Sequence, residues 1–203
     1  MSKGMIMKEK AIDIFRREGG ILRMSEALKL GINRSQLYAL RDCGDLECIS
    51  RGLYRLCELP EPSNLDLLTV SSHCPEGVLC LISALSYHNI TTQIPHSVAM
   101  AVLRDSWRPK IDFPPVDYYQ FSQKAYEAGI EVHNIDGVDI KIYCMEKTLV
   151  DCFKYRNKIG LDVALEALKM YKAKGKMQVN KILDYAQTCR VAKVMMPYLE
   201  ASL

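Results

Sequence analysis

Apolar positions recur every three or four residues in KEKAIDIFRREGG, where Ala11, Ile12, Ile14 and Phe15 share one stripe that Gly19-Gly20 ends. That spacing predicts an amphipathic helix. RMSEALKLG gives a shorter one: Ser25 is placed to cap it, Ala27, Leu28 and Leu30 turn inward, and Gly31 stops it. Asn33 opens a third helix, in which Leu37 and Leu40 stand three apart and pack on the first two. From Leu46 the period drops to two. LECIS and LYRL read as short strands around Arg51-Gly52, and Gly52 permits the positive φ of a tight turn. Three short helices and a hairpin make the winged helix-turn-helix pattern, spanning residues 1–58.

ELPEPSN carries two prolines and no period, so it reads as a linker. Residues 64–203 then read as a larger mixed α+β domain. NLDLLTVSSHC and SALSYHN are helical in pattern, whereas SVAMAVLR and VDYYQFS are strand-like. IEVHNIDGVDIKIYC alternates on both sides of Asp136-Gly137, the strongest short hairpin signal in the chain. From Met145 onward the pattern is helical, so the domain ends in a helical group. The fold class is α+β.

Composition narrows the function classes. Hydrophobic residues are 49% and charged residues 25% of the 203, which excludes disordered and fibrous chains. No apolar run approaches the roughly 20 residues that span a bilayer. MSKGMIMKEK has no signal-like apolar region, so a cytoplasmic location without membrane attachment is expected. The eight cysteines include no CxxC pair and read as reduced thiols. Charge is uneven: residues 1–57 carry 11 Lys and Arg against 7 Asp and Glu, while the rest carry 16 against 17. An anionic partner would therefore meet the N-terminal end.

There the third helix and the hairpin supply the chemistry. With Leu37 and Leu40 inward, Ser35, Tyr38, Ala39 and Asp42 face out, and Arg34, Gln36 and Arg41 lie on the margins. Gln suits an adenine edge and Arg a guanine edge in the major groove. Arg51 at the hairpin tip and Arg55 on its return strand are placed for phosphates or a minor groove. The expected DNA contacts are thus Arg34, Ser35, Gln36, Tyr38, Arg41, Arg51 and Arg55. The competing reading is a domain used only for protein contact. Asp42, Asp45 and Glu47 favour it, because they would repel phosphate if they faced it.

No catalytic site emerges elsewhere. CMEKTLVDCFKYRNKIG is charge-dense, but Glu146 and Asp151 stand five apart, about 140° around a helix. The plainer reading is an amphipathic helix with Leu149, Val150 and Phe153 inward and Lys147–Asp151 as an exposed pair. His73, His88, His96 and His133 show no i, i+4 metal spacing. There is no GxSxG elbow and no GxGxxG or GxxxxGK[ST] phosphate cradle. An enzyme, a cofactor or a metal is not expected. The C-terminal helices hold Met170, Met177, Met195, Met196, Tyr171, Tyr185 and Tyr198, which read as core or as an adaptable partner surface. Lys169, Lys172, Lys174, Lys176, Lys181, Arg190 and Lys193 add a second basic group there.

NRSQLYALRDCGDLECISRGLYRL resembles the N-terminal winged helix of AbiEi-type antitoxins of abortive-infection systems. LISALSYHNITTQIPHSVAMAVLR, EKTLVDCFKYRNKIGLDVALEALKMY and VAKVMMPYLEASL resemble the second domain of that family, in the same order. The resemblance implies a type IV toxin–antitoxin system. The winged helix would bind inverted repeats of double-stranded DNA in its own promoter and repress the operon. The second domain would counter a nucleotidyltransferase-like toxin. The alternative is a stand-alone regulator whose second domain senses a ligand or a protein.

Overall fold

The computed structural model describes residues 3–175 and 177–202, with side chains from residue 7 onward. The chain is mixed α+β and divides into two compact units, one of residues 1–73 with 134–139, the other of 74–133 with 140–203.

In the first unit the order is α1 (Lys3–Arg17), β1 (Ile21–Arg23), α2 (Met24–Lys29), α3 (Arg34–Asp42), β2 (Leu46–Ser50), β3 (Leu53–Leu56) and α4 (Leu65–His73). The three strands form an antiparallel sheet in the order β1-β3-β2. Its core holds Ala11, Phe15, Ala27, Leu37 and Leu40, as the periodicity predicts, together with Ile32, Leu46, Tyr54 and Leu56. Gly20, just after α1, has φ +83, a left-handed conformation that favours glycine. Gly52 (φ +78) has open space around it and is required by the turn alone.

Three details depart from the sequence expectation. β1 carries no alternation long enough to be read, being three residues between Gly20 and α2. Ser25 does not cap α2, which starts one residue earlier. Instead the Glu26 carboxylate accepts from the Arg23 backbone N–H at 3.0 Å. Leu28 and Leu30 stay 38% and 41% exposed, because a six-residue helix turns only Ala27 into the core. The proline-bearing stretch after β3 is also held at its start. Arg16 bonds both Glu58 carboxylate oxygens, at 2.8 and 3.0 Å, and α4 continues within the same unit.

The second unit contains β4 (Val78–Leu79), α5 (Leu81–Tyr87), β5 (Val98–Leu103), β6 (Val116–Phe121) and α6 (Gln123–Glu127). The hairpin β7 (Ile130–Ile135) and β8 (Val138–Tyr143) follows in the chain, its turn at Asp136 (φ +50) and Gly137 (φ +85) as the sequence signals, with residues 134–139 counted in the first unit. The five strands lie in the order β6-β5-β4-β8-β7. β4 is too short to announce itself. It joins the two halves, antiparallel to β5 and parallel to β8. Then come α7 (Met145–Lys154), α8 (Arg156–Ile159), α9 (Leu161–Ala173), α10 (Val179–Thr188) and α11 (Ala192–Glu200). Phe121, Tyr143, Leu149, Phe153, Leu168, Ile182 and Met195 fill the core between the sheet and these helices.

Candidate nucleic-acid interface

α3 is capped at its N-terminus from both sides. Asn33 Oδ1 accepts from the Gln36 backbone N–H at 2.9 Å, and Gln36 Oε1 accepts from the Asn33 N–H at 2.8 Å. This reciprocal cap follows from an Asn and a Gln three residues apart. It fixes the first turn, from which Arg34 and Ser35 project into solvent. Gln36, expected as a base reader, has its carbonyl committed to the cap. Only its amide NH₂ remains for a partner.

One turn on, Tyr38 is exposed and Arg41 lies over it, the guanidinium carbon 5.2 Å from the ring centroid. Arg41 Nη2 and Nε also bond Asp42 Oδ1, at 2.8 and 3.0 Å. The hydrogen bonds and charge of Asp42 raise the Arg41 pKa above its ordinary value. The other two acids that spoke against phosphate are likewise paired. Asp45 meets Lys8 at 2.6 Å, and Glu47 bonds Arg55. Each carboxylate is therefore offset by a neighbouring cation.

The two hairpin arginines separate. Arg51 sits in the β2–β3 turn, exposed. Arg55 is only 5% exposed, and its placement on a DNA-facing wing is corrected here. It lies on β3, the central strand, with Ile21 opposite on one side and Glu47 on the other. Its guanidinium bonds Glu47 and the Leu59 carbonyl, and reaches the Pro60 carbonyl at 2.8 Å. Glu47 and the Leu59–Pro60 carbonyls take up the guanidinium, so it is not free to reach DNA. Arg55 ties the chain leaving the hairpin to the sheet.

Sequence reasoning missed Arg23. It ends β1, directly opposite Leu53, and the adjoining Met24 N–H donates to the Gly52 carbonyl at 2.7 Å. That bond ties the turn carrying Arg51 to the start of α2. Arg23, Arg34 and Arg51 line one cleft of about 330 Å³ with Met24, Leu28 and Ser72. A three-residue strand, a cap and a turn give no common sequence signal, so the convergence of the three arginines was invisible before folding.

The other charge-dense segment behaves oppositely. Glu146 through Phe153 are all buried on α7, which contacts α5, α9, α10 and α11. Lys147 and Asp151, expected as an exposed pair, are both fully buried, with Nζ 2.5 Å from Oδ2. The ammonium also lies 4.0 Å from the Tyr143 ring centroid and 4.8 Å from that of Phe121. Burial pushes the Asp151 carboxyl above the usual carboxylate range, against the pull of Lys147. For Glu146, burial acts in the same direction but is outweighed. Hydrogen bonds from Tyr171 at 2.7 Å and Lys181 at 3.0 Å hold it below its ordinary value. Glu146 and Asp151 have separate partners, not a common site. Among the C-terminal residues Met195 and Tyr171 are core, Met196, Lys169, Lys172, Lys174, Arg190 and Lys193 are exposed, and Lys176 lies outside the described residues. Among the described residues no His, Cys, Asp and Glu cluster is arranged for a metal ion, and no helix is long and apolar enough to cross a membrane.

Residues 9–56 match the family described as "Transcriptional regulator, AbiEi antitoxin". The match lies wholly within the first unit and ends at the last residue of β3. It covers the cap, Arg23, Arg34 and Arg51. The fold of the whole chain is similar to that in the crystal structure of the RV2827C protein from Mycobacterium tuberculosis. The TM-score is 0.54 at 12% identity, over 97% of this chain and 81% of that one. At that identity the likeness concerns the fold. No curated protein sequence matches significantly.

Proposed function

We propose that the chain is a DNA-binding repressor and antitoxin of a type IV toxin–antitoxin system. Residues 1–58 act as a winged helix-turn-helix that binds inverted repeats in the operon's own promoter. Residues 64–203 act in the cytoplasm against a nucleotidyltransferase-like toxin, by binding rather than by catalysis. The observation that carries the DNA reading is the face made by α3 and the β2–β3 turn. Among the described residues Arg34 and Arg51 have no carboxylate partner there, and both lie inside the segment that matches the antitoxin regulators. Unpaired guanidiniums beside an exposed capped helix are what phosphate contact and groove entry require. Arg34, Ser35, Tyr38, Arg41 and the Gln36 amide are the groove residues of this reading, with Arg51 on the wing.

The second unit lies outside the family match, which supports one other reading: a stand-alone regulator whose second domain senses a ligand or partner. Co-expression with the adjacent gene separates them. Growth rescue together with own-promoter repression is expected of the antitoxin. Repression without any effect on growth, beside a neighbour that is toxic alone, selects the stand-alone regulator.

A further inference from the structure

The cleft between the end of β1, the start of α3 and the β2–β3 turn has a composition that the DNA reading alone does not require. Three arginines from three separate elements line it, and no acidic residue is among its lining residues. Arg23 is half-buried and oriented, its Nη2 donating to the Ser71 carbonyl at 3.0 Å. Arg34 and Arg51 are exposed and, among the described residues, have no ion-pair partner. Glu26 is the nearby acid, and its carboxylate is engaged by the Arg23 backbone N–H outside the lining. Met24 and Leu28 give the same cleft an apolar wall. The volume of about 330 Å³ exceeds what a phosphate group alone would fill.

We propose that this cleft is a phosphate-ester site that seats one sugar-phosphate unit, with Arg23, Arg34 and Arg51 around the phosphate and Met24 and Leu28 against the sugar. Guanidinium forks match phosphate oxygens in geometry as well as charge. The apolar wall favours a nucleotide unit over a bare anion. The proposal deepens the DNA-binding reading. It makes Arg23 the fixed member of the site, since its orientation is set before any ligand arrives, whereas Arg34 and Arg51 close from solvent. The unit seated is a backbone position of bound DNA, and a free nucleotide shares the chemistry.

The test uses the full-length protein and its Arg23→Gln, Arg23→Lys, Arg34→Gln and Arg51→Gln variants. Binding is measured against salt for a duplex from the upstream promoter region and for an unrelated duplex of equal length. Deoxythymidine monophosphate and inorganic phosphate are titrated separately by calorimetry. Each Gln variant is expected to lower the slope of log K against log salt by about 0.9. Both duplexes should weaken by the same factor, on the order of three- to tenfold for each lost phosphate contact. Arg23→Lys should restore most of the charge-dependent slope. Monophosphate should bind more tightly than inorganic phosphate, in an Arg23-dependent way. If only monophosphate binding is lost in the variants, the cleft stands with a free nucleotide as its occupant. If the wild type binds monophosphate but no duplex, the cleft stands and the DNA reading fails. Unchanged slopes together with no monophosphate binding overturn the cleft while leaving the DNA reading intact. Should Arg23→Gln fail to fold, Arg34→Gln and Arg51→Gln decide the same question from exposed positions.

Discussion

α3 with its hairpin and α7 with its flanks are the two charge-dense stretches of this chain, and they place their charges in opposite ways. Around α3 the cations point to water. Among the described residues Arg34 and Arg51 have no carboxylate partner, and Asp42, Asp45 and Glu47 are each offset by a neighbour. On α7 itself Glu146, Lys147 and Asp151 are turned into the core, where Lys147 and Asp151 neutralise each other with both side chains fully buried. Solvent accounts for the difference. A surface cation keeps its hydration and loses little by awaiting an anion, whereas a buried one must carry its partner with it. Charge density alone therefore does not mark a binding surface.

The comparison is most strongly tested at Lys147. Replacing it by Met leaves Asp151 in the core without its partner, so unfolding free energy should fall by about 3–5 kcal/mol near neutral pH. Lys147→Met with Asp151→Leu should recover most of that loss, since a well-packed apolar pair of similar volume is often neutral. In the single variant stability should drop as pH rises. Burial raises the folded Asp151 pKa, so the native state keeps a proton that the unfolded chain releases above pH ~4. Duplex affinity per folded molecule should not change. A Lys147→Met protein of wild-type stability at neutral pH would mean the pair is hydrated after all.

Arg55 carries the contrast into a single hairpin. Arg55→Ala should destabilise the protein by about 1.5–3 kcal/mol, the range for hydrogen bonds to charged groups. Its effect on DNA should vanish once the folded fraction is matched. Arg51→Ala should do the reverse, leaving the thermal midpoint in place and weakening all duplexes about equally with a flatter salt dependence. Loss at one operator sequence alone would make Arg51 a base reader.

These two arginines also show how far the sequence could be read. The α3 stripe, its Asn33 cap and the Asp136-Gly137 turn each depend on neighbours within four residues, and each is legible. Arg51 was legible because a turn tip is exposed by construction. Arg55 is not, because its partners include the Leu59 and Pro60 carbonyls of the irregular chain that follows the hairpin. Lys147 was misread for a related reason. An i, i+4 pair looks solvated until α5, α9, α10 and α11 enclose the helix. Arg23 had no local signal at all. Arg55, Lys147 and Arg23 are all positions whose environment comes from distant parts of the chain, whereas Ser25 and Gln36 departed from expectation through local capping geometry.

The smallest effect is expected at Gln36, which stands at the boundary between structure and recognition on the α3 face. Its Oε1 closes the N-terminal cap, while its amide NH₂ stays available to an acceptor. Gln36→Ala removes both, so a fall in stability of about 1 kcal/mol, the usual worth of a cap, is expected together with weaker duplex binding. Gln36→Glu separates the two roles. Glutamate closes the same reciprocal cap and suits the positive end of a helix, so melting should remain at or slightly above wild type. It cannot donate, and it brings a negative charge toward phosphate, so affinity should fall well below that of Gln36→Ala. Equal affinities for the two variants, with the Glu protein as stable as wild type, would show that Gln36 faces no nucleic acid and serves α3 only as its cap.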